Sequence, residues 1–569
     1  MKAFTEPLLS LAGFEEMTKT AEKSSGLISV TGCIDAQKSQ MIYAFGGHRK
    51  NKLIVTFGEQ KAKELYDEYS FFDKEVVYYP SKDVLFYQSD IRGNLLTAER
   101  IRALKAIREQ ERVTLVTTFD ALMNTMAPIE KMWENVLTLE QGQLLDLKEI
   151  QAALIRMGYE KEYQVQTMGQ FSVRGGILDV FPLTEENPIR IELWGDEIDT
   201  IRYFDYESQK SIENTDRVSI YPAAELVLSD EEKAGGIEKL KAEAKRVSDK
   251  LRKQMKTEEA HRVTVMADEL TEEWGELSMY AGMDAFLSYF FDERVGLLDY
   301  FNPSDSLIFF DELTRCAEQG KLTETEFSES MKQRLAMGYI LPGQMNGLFT
   351  EKEIVAKLEK YSCIALGALD NKANGLHQLG SYGIHCQSVS PYNNSFELLI
   401  KDLKRYKKNG YRVILLSGSR TRAKRLSEDI TDQGITCFYT ENYDHELFEG
   451  QIMVCYGKVR RGFEYPILKF AVITESDIFG AQQKKKKRHR TYEGEKIQSF
   501  TDLSVGDYVV HENHGLGIYR GIEKLEVDKK VKDYIKIEYQ GGSNLYILAT
   551  QLDMIQKYAG KDARKPKLN

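Results

Sequence analysis

Between Leu27 and about Asp120 the chain alternates short apolar runs with helical stretches: Ile28-Ser29-Val30, Leu53-Ile54-Val55 and Val113-Thr114-Leu115-Val116 are separated by segments such as Ala98 to Glu109. Brief runs of this kind belong to strands covered on both faces. Strands joined through helices lie parallel, because a tight turn cannot connect parallel neighbours. This region is therefore expected to form a parallel α/β sheet. The full chain of 569 residues is too long for one hydrophobic core. At roughly 100 to 200 residues per domain, it divides into about three to five domains.

Its composition, 42% hydrophobic and 29% charged with 11 prolines, is that of a chain able to bury cores. A net charge of −11 excludes nucleic-acid binding by the whole surface. Any DNA or phosphate contact is expected to be local, at the basic run Lys484, Lys485, Lys486, Lys487, Arg488 and Arg490, which otherwise reads as a solvated linker. The start MKAFTEPLLSLAGFEEM has no leader pattern, and nowhere do about 18 apolar residues run together, so a cytoplasmic chain without a membrane partner is expected. Cys33, Cys316, Cys363, Cys386, Cys437 and Cys455 form no CxxC pair and read as free thiols, without a disulfide framework or zinc site.

Beyond a helix expected over Leu147 to Arg156, short alternating strands appear at Gln170 to Arg174, Ile177 to Phe181, Pro188 to Trp194, Glu197 to Phe204 and Val218 to Tyr221. Period-two alternation marks a sheet with one wet face, hence a separate small β-rich module. A charged helical stretch over 231–256 leads back to α/β material with the strand Leu307-Ile308-Phe309-Phe310, which makes the module an insertion into the first domain. A further α/β unit holds the strand Tyr411 to Leu416, the helix Ser419 to Gln433 and the strand Phe470 to Ile473. From Val505, closely spaced short strands predict a small SH3-like β-barrel. The expected fold class is multidomain α/β: a degenerate P-loop-like parallel-sheet domain with an inserted small β-rich domain, a further α/β domain and a C-terminal SH3-like barrel. The expected segments are 1–135, the insert 136–222, the return 223–345, an α/β spacer 350–478, a basic linker 479–500, the barrel 501–562 and a linker 563–569.

The strand at 27–30 runs into Gly32-Cys33-Ile34-Asp35-Ala36-Gln37-Lys38-Ser39, one residue away from the phosphate-cradling pattern G-x-x-x-x-G-K-[ST]. Gln37 stands where the second glycine lets backbone N–H groups curl toward phosphate, and a side chain there obstructs both the conformation and the approach. Lys38 and Ser39 still offer a charge and a hydroxyl, and Asp311-Glu312 follows a strand as magnesium-binding acids do. Gly32, Gln37, Lys38, Ser39, Asp311 and Glu312 are expected to form an empty, decayed scaffold. No catalytic residue and no cofactor is assigned to the chain.

Two stretches are specific. The first is Gln170-Phe171-Ser172-Val173-Arg174-Gly175-Gly176-Ile177-Leu178-Asp179-Val180-Phe181-Pro182, followed by Ile189-Arg190-Ile191-Glu192-Leu193-Trp194-Gly195. Alternation sends Ile189, Ile191 and Leu193 inward and Arg190, Glu192 and Trp194 outward, with Ser172 and Arg174 outward on the preceding strand. An exposed Trp beside two arginines combines the residue types most enriched at interface hot spots. The bland alternative is a Trp covering the edge of a thin sheet. The second stretch is Val505-Gly506-Asp507-Tyr508-Val509-Val510-His511-Glu512-Asn513-His514-Gly515-Leu516-Gly517-Ile518-Tyr519, whose glycines suit tight corners. His511 and His514 lack further ligands, so no metal is expected. After it, Leu525 and Val527 share one face of a strand that can take up a partner strand if its edge is open, and that is otherwise satisfied within the barrel.

The first stretch resembles the UvrA-binding domain shared by UvrB and the transcription-repair coupling factors. The second resembles the RNA polymerase-interaction domain of those factors and of CarD-type regulators. The order of parts is that of the front half of a coupling factor. The resemblance implies UvrA contacts at Arg174, Arg190 and Trp194, and RNA polymerase β-subunit contacts at Leu525 and Val527. For the intact protein it implies an ATP-dependent DNA translocase in nucleotide excision repair that docks on stalled polymerase, releases it and recruits UvrA. The motor, with its ATP, magnesium and most of the double-stranded DNA contact, is expected after residue 569, and a monomer is expected. The family's C-terminal gate on UvrA docking would likewise lie beyond, leaving the module open. Gln37 and the short loop between Tyr79 and Ala98, where UvrB carries a long aromatic hairpin, depart from UvrB itself. The rival readings are a UvrB-like damage-verification ATPase, a CarD-like transcription regulator without motor activity, and a nucleic-acid-binding module built on 484–490.

Overall fold

The structure is a computed structural model. It describes residues 1–45, 49–82, 94–276, 283–369 and 375–480, and in the C-terminal region 494–496, 504–511, 515–527, 530–539, 544–548 and 555–558. Seven strands form the first sheet, in the order Gln378–Gly383, Gly26–Thr31, Ser362–Leu366, Ser306–Asp311, Asn51–Thr56, Val113–Thr118 and Val76–Tyr79. Every neighbouring pair is parallel. The central strands are buried on both faces. Leu53, Val55, Ile308 and Phe310 face one core with Ile101, Leu104 and Phe119. Ile54, Phe309, Ile28 and Val30 face another with Phe4, Met41 and Leu65. Their near-continuous apolar runs follow from that double covering.

The return after the insertion is literal: Ser306–Asp311 lies between Asn51–Thr56 and Ser362–Leu366. One boundary moves. Residues 362–366 and 378–383, assigned to the spacer beginning at 350, supply two strands to the first sheet, where Gly26 pairs with Ser362 and Leu27 with Gln378. Ser362–Leu366 is buried throughout and Gln378–Gly383 is a partly exposed edge strand, and neither carries a local mark of which sheet receives it.

The remaining part of the expected spacer holds its own six-stranded sheet, in the order Gln387–Ser388, Phe463–Tyr465, Phe470–Thr474, Arg412–Ser417, Ile452–Tyr456 and Phe438–Tyr439. It is no detached spacer. Leu416, Met453, Phe463, Tyr465 and Val472 share one apolar core with Phe4, Phe71, Ile28 and Ile54. Across this junction the Tyr465 hydroxyl donates to Gln40 Oε1 at 3.2 Å, and Gln40 Nε2 donates to the Phe4 carbonyl at 2.5 Å.

The inserted sheet runs Ser211–Thr215, Glu197–Phe204, Ile189–Trp194, Ile177–Val180, Gln170–Arg174 and Glu160–Lys161, with only the last pair parallel. The strand Ser211–Thr215, absent from the sequence reading, is largely exposed and polar, so it lacks the alternation that marks its neighbours. Arg217–Ile220 leaves this sheet and pairs antiparallel with Leu137–Glu140, joining the exit of the module to its entry. Just past that exit Glu225 accepts from Arg100 Nε at 2.8 Å and Nη2 at 3.1 Å, and pairs with Lys82 at 2.9 Å. Burial alone would raise this carboxyl. Arg100 and Lys82 outweigh it and hold the group at about 2.

In the C-terminal region six strands form one antiparallel ladder, in the order Gly494–Lys496, Ile555–Tyr558, Tyr508–His511, Gly515–Val527, Lys530–Glu538 and Asn544–Leu548. The described pairings do not join its two end strands, so they give the sheet of the expected barrel without its closure. Gly517 lies inside a strand rather than at a corner, and a Cβ there would stand 2.4 Å from Ile537 Cγ2. Five of the six free cysteines are buried. Among the described residues no helix is long and apolar enough to cross a membrane.

The junction between the first two sheets holds a titrating group. Burial pushes the Glu68 carboxyl up to about 7 from an ordinary 4.5, against the opposing pull of Arg460. A raised carboxyl binds its proton more tightly in the folded chain, so its contribution is complete below about 4.5 and is lost as pH climbs through about 7. Glu68→Gln is expected to remove that loss, raising the thermal midpoint relative to the unsubstituted chain at pH 8 but not at pH 5.

Candidate functional site

The residues read from the sequence as a decayed phosphate loop form an ion cluster in the structure. Helix Asp35–Phe45 carries Lys38, whose ammonium reaches Asp311 Oδ1 at 2.5 Å, Glu312 Oε1 at 2.9 Å and Asp35 Oδ1 at 3.2 Å. Asp311 also accepts from Thr56 Oγ1 at 2.9 Å. Lys38 and Asp311 are both 1% exposed. Burial pulls the ammonium down, but Asp311 and Glu312 overcome it and hold Lys38 above its ordinary value. Glu312 adopts a left-handed backbone, φ 58°, which lets its carboxylate meet both Lys38 and the Ala368 N–H. Gly32 is required for a reason unrelated to phosphate: at φ 78° a Cβ would stand 2.1 Å from the Ile384 carbonyl oxygen. Among the described residues the buried Ser39 hydroxyl has no hydrogen-bond partner. The sequence-predicted set is thus brought together as an internal ion cluster, with the lysine's charge spent on protein carboxylates.

The outer face of the inserted sheet is built differently. The hairpin turning at Gly175-Gly176 sets Ser172 opposite Asp179 and Arg174 opposite Ile177, and the next strand sets Arg190 beside Asp179 and Glu192 beside Ile177. Asp179 is fully buried and takes both arginines: Arg190 Nε at 2.7 Å, Arg190 Nη2 at 2.9 Å and Arg174 Nη2 at 2.9 Å. Gln209 Oε1 accepts from Arg190 Nη2 at 2.9 Å, and the guanidinium lies 4.3 Å over the Phe204 ring. The Asp179 hydrogen bonds hold Arg190 above its ordinary value. Farther along the strand Trp194 is 84% exposed, so it does not cover the edge of the sheet. Ser172, expected outward, lies on this face but is buried, because its hydroxyl donates to the Tyr163 carbonyl at 2.7 Å as that segment crosses it. Leu193 is only half-buried, since the register shifts between Glu192 and Leu193.

The sequence reading gave no role to Asp179 or Tyr163. Alternation in Ile177-Leu178-Asp179-Val180 puts the aspartate on the polar face between two arginine-bearing strands, a signal present but unread. Tyr163, as exposed as Trp194 at 84%, lies in a loop that no periodicity places.

Leu525 and Val527 belong to the strand Gly515–Val527, whose backbone pairs Leu525 with Lys532 and Val527 with Lys530. On its other side this strand pairs with Tyr508–His511 only from Gly515 to Ile518, so among the described pairings the stretch 522–527 keeps one open edge. The side chains of 511–515 and 524–533, and the run 484–490, lie outside the described residues.

These two modules coincide with two family matches. Residues 137–226 match the UvrB interaction domain, and residues 503–559 match the CarD-like/TRCF RID domain. Fold and matches together define a chain with a UvrB-type interaction module inserted in a parallel-sheet domain and a CarD-like module after it. Over nearly its whole length this chain is similar to transcription-repair-coupling factors, with the module order of an N-terminal-half relative of that family. It is 31% identical over 518 residues to the transcription-repair-coupling factor of Bacillus subtilis (strain 168), covering 90% of this chain and 43% of that protein. It is 30% identical over 554 residues to that of Staphylococcus haemolyticus (strain JCSC1435), covering 95% of this chain and 46% of that protein. The chain therefore spans somewhat less than half the length of these relatives.

Lys38→Ala would leave the buried Asp311 without its cation, and is expected to cost about 3–5 kcal/mol, read as a fall in the denaturant midpoint. Lys38→Met combined with Asp311→Leu, which removes both charges of the closest pair, is expected to recover most of that loss in the same measurement.

Proposed function

We propose that this chain is a two-ended docking protein of transcription-coupled nucleotide excision repair. The inserted module takes UvrA on the face bearing Arg174, Arg190 and Trp194. The C-terminal module takes the RNA polymerase β subunit along the strand containing Leu525 and Val527. The observation that carries the reading is Trp194, a large aromatic 84% exposed on the strand whose Arg190 is already held in place. Such a side chain gains most by entering a partner's pocket. The open edge at 522–527 supports strand addition at the second end.

In the intact protein, by this reading, these modules serve an ATP-driven DNA translocase that releases the stalled polymerase. Its ATP and magnesium belong to a motor outside this chain, and double-stranded DNA is engaged mainly there. A phosphate contact at Lys484, Lys485, Lys486, Lys487, Arg488 and Arg490 is a minor part of the proposal, and the chain acts as a monomer. The occupied Lys38 weighs against a UvrB-like ATPase built on this chain alone, because a lysine engaged by three carboxylates is poorly placed to receive phosphate.

The test is binding of the chain to UvrA and to the polymerase β subunit. Arg190→Glu is expected to abolish the first and spare the second, and Leu525→Arg to do the reverse. Trp194→Ala is expected to weaken UvrA binding by about 2 kcal/mol or more without lowering the thermal midpoint. Absence of both interactions in the unsubstituted chain would overturn the proposal.

A further inference from the structure

The two docking arginines converge on one carboxylate that no partner can reach. Asp179 is fully buried, and its two oxygens receive three guanidinium N–H groups, one from Arg174 and two from Arg190. Its neighbours on either side in register are Ser172 and Arg190. The Arg190 side chain is further enclosed by the Phe204 ring and by Gln209, and is 13% exposed. A guanidinium has five N–H donors in a fixed fork. Asp179 and Gln209 consume Nε–H and the Nη2 donors of Arg190, which leaves the Nη1 edge for a carboxylate on another molecule. A free arginine would have to surrender its rotamer freedom on binding, whereas one already fixed does not.

We propose that Asp179 is a positioning residue for UvrA docking, fixing Arg174 and Arg190 before the partner arrives so that they present their remaining N–H donors to its carboxylates. This rests on the docking reading above. It separates from simple charge attraction by the sign of one effect. Replacing Asp179 by Asn adds one positive charge to the face, which by attraction alone strengthens binding to an acidic partner surface. Loss of positioning weakens it.

The experiment is a titration of UvrA with the full chain and its Asp179→Asn, Arg174→Ala/Arg190→Ala and triple variants, each checked for fold by near-ultraviolet circular dichroism. Asp179→Asn is expected to weaken binding roughly ten- to hundredfold, and to cost nothing further in the double-arginine background. Unchanged or tighter binding, or an equal loss in that background, overturns the proposal and leaves the docking reading standing. If Asp179→Asn does not fold, Gln209→Ala serves in its place. It lies in a loop, removes the second holder of Arg190, and is expected to weaken binding roughly two- to fivefold only where Arg190 is present. Failure of the unsubstituted chain to bind UvrA overturns the docking reading instead. Positioning is then read in the free chain by the Nε–H resonance of Arg190, assigned through Arg190→Lys. The resonance is expected to be protected from solvent exchange and to lose that protection in Asp179→Asn or Gln209→Ala, and exchange unchanged by these substitutions overturns the proposal.

Discussion

The architecture depends on one strand being laid between two others after a long excursion. Ser306–Asp311 pairs with Asn51–Thr56 on one side and Ser362–Leu366 on the other, all in parallel, and the chain builds the whole inserted module before that strand is made. The excursion is tolerable because Leu137–Glu140 and Arg217–Ile220 pair with each other, so the module leaves and returns at nearly one point. Glu225, locked by Arg100 and Lys82 beyond the exit, ties that point to the parent sheet. Breaking one partner of a largely buried charged pair leaves the other uncompensated, so such a junction resists opening.

The same physics accounts for the ion cluster at Lys38. Every central strand of a parallel sheet delivers its carboxyl end to one crevice, and charges gathered there need partners. Lys38 reaches across from the helix after Gly26–Thr31 and meets Asp311 and Glu312 at the end of Ser306–Asp311. This cluster ties the first strand to the returning one and serves as a fastener.

The inserted module puts buried charge to a different use. Asp179 lies under the outer face and its arginines extend over it, so polar groups there are neutralised and ordered while Trp194 and Tyr163 remain in water. The third unit, by contrast, merges its core with that of the first through Phe71, Leu416 and Phe463. Two of the sheets thus share apolar side chains in one body.

Much of this was legible from residue order. Buried runs such as Leu53 to Val55 and Ile308 to Phe310, short and alternating with helical stretches, point to parallel strands covered on both faces, and alternation over Ile189 to Trp194 points to which face is wet. The substitution at Gln37 and the two motif stretches likewise needed no coordinates. Tertiary structure alone decided the rest. That Gly26 pairs with Ser362, that the supposed spacer shares the first domain's core, that Lys38 is spent on Asp311 and that two arginines meet on Asp179 are contacts between residues remote along the chain or on different strands. The physical reason is that periodicity reports only whether a side chain faces apolar matter or water. Which partner it meets depends on the register and packing of elements brought together by the fold.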